Sequence, residues 1–286
     1  MAMKPPRLIA VLPTMLTLGN AACGFGAITI AARVGPEGEA AGNLLSAGLL
    51  IYLAMLFDML DGSAARLTKQ TSELGAQLDS LCDAVSFGVA PAFLMLQFVH
   101  HVDTANKGFD WPSRLLWTMA CLYAVCAIMR LARFNVETEE EDSHDEFSGL
   151  PSPAAAGAVA SFPVSIQQLT QLAQGSGWKS SLANSVLPWV HILLPLVTLG
   201  VGCLMVSRFR YPHFFNQFFR RQRSGKQIVQ LVLGLGAIYT VHELAVPMIF
   251  CWYAFTAPLK RAWVRALELW SPKSATRIAQ APVEGD

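Results

Sequence analysis

Charge is scarce in this sequence. Of its 286 residues only 14% are Asp, Glu, Lys or Arg, and 53% are hydrophobic, whereas ordinary soluble domains carry about 25% charge. That shortage excludes a water-exposed surface wrapped around a single core. With 21 basic against 20 acidic residues the formal net charge is +1, so bulk charge offers no case for a nucleic-acid partner. Paired cysteines are also missing. Cys23, Cys82, Cys121, Cys126, Cys203 and Cys251 form no C-x-x-C unit, and no histidine stands at a spacing that would complete a zinc site. These cysteines read as small hydrophobes packed among helices. His100, His101, His144, His191, His213 and His242 are scattered along the chain, so a histidine-activated Ser or Cys nucleophile is not indicated.

What is abundant is apolar sequence in long blocks. They run near 8–32, 44–60, 76–99, 112–129, 153–172 and 186–206, lengths suited to crossing a bilayer as helices. A last block, 227–257, is long for one span and short for two, and Pro247, just after His242 and Glu243, offers a break. Basic residues concentrate on the cytoplasmic side of membrane proteins. With the N-terminus inside, the inner loops hold Lys4, Arg7, Arg66, Lys69, Arg130, Arg133 and the cluster from Arg208 to Lys226, and the basic tail after Pro258 is also inside. The expectation is an all-α polytopic transmembrane bundle of eight spans, with seven as the alternative. It divides into a six-helix core (1–210), a basic cytoplasmic loop (211–226), a transmembrane hairpin (227–257) and a tail (258–286). In that tail Leu259, Trp263, Leu267 and Trp270 share helical spacing with Lys260, Arg261 and Arg265 nearby, the pattern of a helix lying on a membrane surface. The acidic run 137–147 reads as a solvated loop, and Glu243 has no assigned role.

Four acids conflict with this composition. Asp58, Asp61, Asp79 and Asp83 fall where the second and third helices meet, although an ionised side chain at a membrane-helix centre costs roughly 2.5–3.5 kcal/mol. Asp58 and Asp61 are i,i+3 and Asp79 and Asp83 are i,i+4, so each pair lies on one helix face. A turn near Lys69–Ser72 lets the two faces meet. Four converging carboxylates make an all-oxygen site suited to a hard divalent cation such as Mg²⁺ or Mn²⁺. Gly62, Ala65 and Gly75 read either as helix-packing residues or as clearance beside those acids for a metal-bridged nucleotide diphosphate, and Arg66 offers a fork of donors to a phosphate oxygen.

The pattern Asp58-x-x-Asp61-Gly62-x-x-Ala65-Arg66, eight residues, then Gly75-x-x-x-Asp79-x-x-x-Asp83 resembles the full signature of the CDP-alcohol phosphatidyltransferases. The flanking segments LPTMLTLGNAACG (12–24), DSLCDAVSFGVAPA (79–92), RLARFN (130–135) and FSGLPSPAAAG (147–157) look like the bacterial phosphatidylserine synthase branch. Thr14 departs from the Asn often found there. The resemblance spans roughly 8–210. It implies a six-helix membrane core, a two-metal site and a homodimer. It implies Asp58, Asp61 and Asp79 as metal ligands, with Asp83 ligating the second metal and accepting the proton of the attacking hydroxyl. Asn20, Gly62, Ala65, Arg66 and Gly75 are then expected at CDP-diacylglycerol.

The expected reaction joins CDP-diacylglycerol and L-serine into phosphatidylserine and CMP by direct displacement, at the cytoplasmic face of a bacterial membrane. Serine's carboxylate needs a cation, for which Arg130 and Arg133 are candidates, with Ser86 nearby; anchoring to lipid headgroups is the other reading of the arginines. Glycerol 3-phosphate, inositol phosphate or choline remain alternative acceptors. A cation transporter is the rival of a different class, disfavoured because the acids sit beside Arg66 and Lys69 and no second half of the chain mirrors them.

Overall fold

The computed structural model describes residues 7–33, 37–68, 73–103, 111–140, 147–211 and 242–270. Helices α1 (Arg7–Ala31) and α2 (Glu37–Thr68) are followed by α3 (Glu73–Asp83). A π-helical segment (Ala84–Val89) carries α3 without interruption into α4 (Ala90–Asp103). Then come α5 (Ser113–Glu140), α6 (Ser152–Ala173) and α7 (Trp178–Val206), and finally α8 (His242–Trp270). Two-residue strands β1 (Phe147–Ser148) and β2 (Arg210–Tyr211) pair antiparallel. The chain from α1 to α7 is thus six helical rods, α3 and α4 forming one of them.

Among the described residues, five segments are long and apolar enough to cross a membrane: Pro13–Ala31, Ala41–Ser63, Leu74–His101, Ser113–Val136 and Trp178–Val206. Leu49, Trp117 and Trp189 leave half or more of their surface uncovered on these helices. Water would not tolerate that exterior on such a scale, but hydrocarbon does. The protein is an integral membrane protein with a helical-bundle fold. Helix α6 is less apolar, with Gln167, Gln168 and Gln171 in its second half, and it packs against α2, α7 and α8.

Small residues bring the rods together, as expected where hydrocarbon gives helices no hydrophobic reason to associate. A Cβ on Gly48 would lie 2.8 Å from Val164 Cγ2, and one on Gly157 would lie 2.3 Å from the Phe250 ring. Beside Gly157, Tyr52 donates its hydroxyl to the Gly157 carbonyl at 3.0 Å and stacks on Phe250, ring centroids 5.7 Å apart. At the widened turn, buried Tyr123 donates to the Phe87 carbonyl at 3.0 Å, so the loosened ladder keeps a partner in a place without water.

One end of the bundle is tied by main chain. Gly149 has φ +91°, and a Cβ there would fall 2.3 Å from the Met205 carbonyl oxygen, so only glycine fits. Its N–H donates to Phe209 O at 2.8 Å, and Leu150 N–H donates to Leu204 O at 3.1 Å. Tyr211 donates its hydroxyl to Ala254 O at 2.8 Å. The start of α6, the end of α7 and the middle of α8 therefore lie at one level.

Three sequence expectations need correction. Pro247 is no break: α8 runs through both Pro247 and Pro258. Pro247 removes one hydrogen bond of the helix, but it is buried against its neighbours, and packing on α6 and α7 carries the helix through it. The boundary expected between 257 and 258 is likewise crossed by continuous helix, while 212–241 and 271–286, and with them the first half of the hairpin and the seven-or-eight question, lie outside the described residues. The acidic run is not all loop, because α5 continues to Glu140 and Phe147 is paired with Tyr211.

Candidate active site

Helix α2 outlasts its apolar block and carries Asp58 and Asp61 to the polar end of the bundle; α3 starts there and brings Asp79 back beside them. One carboxylate oxygen from each of Asp58, Asp61 and Asp79 lies within 4.8 Å of the other two. Asp61 is 6% exposed, and Thr17 of α1 faces it. Asp61 Oδ2 and Asp79 Oδ1 are buried without a hydrogen-bond partner. Three anionic groups at this separation in a poorly solvated place repel strongly. Buried acceptors are ordinarily satisfied, and these three carboxylates could hold a metal ion.

Asp83, one helical turn beyond Asp79 and 8% exposed, is not among those three oxygens. Asn20 of α1 donates Nδ2–H to Asp83 Oδ1 at 2.8 Å. The Asn20 carbonyl in turn accepts the Ser86 hydroxyl at 2.9 Å. Such a contact requires α1 and the π segment to touch, and Gly24 permits it: a Cβ there would fall 2.4 Å from Ser86 Oγ and 2.7 Å from Ser86 Cα. Ser86 is fully buried in this seam. Its hydroxyl holds the main chain of Asn20 beside Asp83.

Arg130 of α5 faces Asp83, Asp58 and Tyr253 and donates Nη1–H to Ser152 Oγ at the start of α6. Its Nε is buried without a partner, leaving a donor available at the cluster. Arg133 is partly buried about one turn further along α5. Ser80 and Asn135 bond each other across α3 and α5, Asn135 Nδ2 to Ser80 Oγ at 2.9 Å, which pins the helix bearing Asp79 and Asp83. Among the described residues a Cβ on Gly62 would meet nothing within 4 Å, so this glycine serves no contact with them. Gly75 lies one turn before Asp79 on α3, while Ala65 and Arg66 continue α2 toward Thr68.

Sequence reasoning missed Thr17, Gly24, Tyr123, Ser80, Asn135, Ser152 and Tyr253. Thr17, Gly24, Ser80, Asn135 and Ser152 stand inside the flanking segments that carry the resemblance, whereas Tyr123 and Tyr253 lie outside them.

The model of the CDP-alcohol phosphatidyltransferase family matches residues 10–197, from α1 into α7. A protein of Methanocaldococcus jannaschii named CDP-diacylglycerol–serine O-phosphatidyltransferase is 35% identical over 176 residues, 62% of this chain and 68% of its own. The Bacillus subtilis protein of that name is 30% identical over 217 residues, 75% of this chain and 97% of its own. A Mycobacterium bovis protein, again so named, is 34% identical over 178 residues, 61% of this chain and 54% of its own. The chain therefore spans about half the length of the mycobacterial relatives it matches.

Proposed function

The chain belongs to the CDP-alcohol phosphatidyltransferase family, and on that premise we propose that it transfers the phosphatidyl group of CDP-diacylglycerol to the hydroxyl of L-serine, giving phosphatidylserine and CMP. The observation that carries the reading is the convergence of Asp58, Asp61 and Asp79 at one end of a membrane bundle. The names of the relatives support serine as the acceptor.

The family is metal-dependent, and the donors here fit a hard cation: all are carboxylate oxygens, two of them buried and unsatisfied. Asp58, Asp61 and Asp79 would hold it, with Asp83 within reach of a second ion. When bound, Mg²⁺ or Mn²⁺ neutralises the pyrophosphate and its departing oxygen. Every remaining task falls to the chain. Gly62 leaves room for the nucleotide, and Arg66 and Gly75 flank it. Arg130 presents its guanidinium to phosphate or to the serine carboxylate, with Arg133 as a second cation. Asn20 fixes Asp83 through one oxygen, leaving the other to take the proton of the serine hydroxyl. The serine oxygen forms a bond to the phosphorus that bears diacylglycerol, and the bond from that phosphorus to the CMP oxygen breaks. The reaction site faces the cytosol, and the working unit is a homodimer in the cytoplasmic membrane.

The test uses the purified protein in detergent with labelled serine, CDP-diacylglycerol and Mg²⁺ or Mn²⁺. Labelled phosphatidylserine and stoichiometric CMP are expected, both abolished by EDTA. Preference for glycerol 3-phosphate, inositol phosphate or choline would replace the acceptor. CMP exchange into CDP-diacylglycerol without serine would replace direct displacement.

A further inference from the structure

Away from the carboxylates, α6, α7 and α8 line a half-open cleft of about 250 Å³. Phe162 and Leu169 of α6, Val186 and Val190 of α7, and Leu244 and Cys251 of α8 are among its lining residues, and no charged side chain lines it. Apolar space of this kind does not hold water, and within a bilayer its natural filling is a hydrocarbon chain. Which chain follows from where the cleft begins. Cys251 lies two residues, or about 3 Å of helical rise, from Tyr253. Tyr253 faces Arg130, and Arg130 bonds Ser152 at the head of α6. From Ser152, α6 descends about 15 Å to Phe162 and about 25 Å to Leu169. A lipid whose phosphate reaches Arg130 therefore has the far part of its acyl chains at the depth of this cleft.

We propose that the α6–α7–α8 cleft receives the far part of one acyl chain of the liponucleotide substrate and so favours long chains over short ones. The assignment rests on the reading of CDP-diacylglycerol as substrate. One wall, α8, lies beyond the residues matched by the family model.

The experiment uses the wild-type protein in mixed micelles with CDP-diacylglycerol carrying a photoreactive group at the end of one palmitoyl chain. Adducts are expected on cleft residues of α6, α7 or α8. Excess unlabelled CDP-diacylglycerol should suppress them, and excess phosphatidylglycerol with the same chains should not. Adducts elsewhere, or equal suppression by both lipids, overturn the proposal, the second result marking a groove filled by bulk lipid. A kinetic arm follows with Ser165→Phe, which narrows the cleft from α6, and Met248→Trp, which narrows it from α8. In either variant the ratio of kcat/KM for dipalmitoyl over dioctanoyl substrate should fall about tenfold, the scale set by a misfitted methylene in an apolar pocket. An unchanged ratio in an active variant contradicts the proposal. Serine-dependent CMP release by the wild type is scored separately: specific adducts without such release leave the cleft standing and remove serine as the acceptor.

Discussion

Two seams in this bundle use the same device and end in different places. At Gly24 and at Gly157 a missing side chain lets a neighbour approach to a distance that no Cβ would allow. At Gly157 the neighbour is the Phe250 ring, with Tyr52 adding one hydrogen bond to main chain, and the result is a joint between α2, α6 and α8. At Gly24 the neighbour is Ser86, and the contact is the first link in a chain from Ser86 to Asn20 to Asp83. Close approach of helices is therefore structural by default. On the proposed function, it serves catalysis where the residues it brings together are polar and lead to a charged group.

The largest expected effect lies at the end of the functional seam and tests whether charge at the cluster is indispensable. Asp79→Asn removes one of the three converging anions while keeping shape. Serine-dependent CMP release should fall about a thousandfold, since metal stabilisation of transferring phosphate supplies several kcal/mol, with the protein still extracted as a folded membrane protein. Next is Gly24→Ala. Its Cβ meets Ser86 main chain, which cannot rotate away, so α1 and the π segment must separate and Asn20 withdraws from Asp83. A drop in kcat of about 10²-fold is expected, within the range for a displaced general base, measured at saturating serine and CDP-diacylglycerol.

Gly157→Ala sharpens the contrast. The clash there is with the edge of a ring, and overpacking costs about 1–3 kcal/mol of stability. Thermal unfolding should shift downward while kcat per folded molecule stays near wild type; a kcat loss equal to that of Gly24→Ala would erase the difference between the seams. The smallest effect is expected from Arg133→Lys, which keeps charge and loses the planar fork. A severalfold rise in KM for serine with little change in kcat favours substrate contact, and unchanged kinetics favour a lipid anchor.

The carboxylate cluster was legible because helix geometry translates i,i+3 and i,i+4 spacing directly into shared faces, and two such pairs flank one short turn. The six rods were legible for a similar local reason: their apolar blocks have bilayer length. Helix ends were not, because Glu is a good helix former and α5 runs on to Glu140 after its apolar residues stop; α2 likewise continues to Thr68. The bond from Asn20 to Asp83 joins positions 63 residues apart, and no local pattern announces it. Nor does a local pattern announce the π segment, whose extra width turns Ser86 toward α1. Pro247 misled because packing on α6 and α7 carries the helix through it, and no local pattern announces that packing.

The most direct measurement is Mn²⁺ binding to the purified protein, followed by electron paramagnetic resonance, in the wild type and in Asp79→Asn side by side. The expected result is saturable binding to the wild type, strengthened by CDP-diacylglycerol and lost in the variant together with CMP release. Equal Mn²⁺ binding by both proteins, or full serine-dependent turnover after exhaustive EDTA treatment, would show that Asp58, Asp61 and Asp79 do not act as a cation cradle.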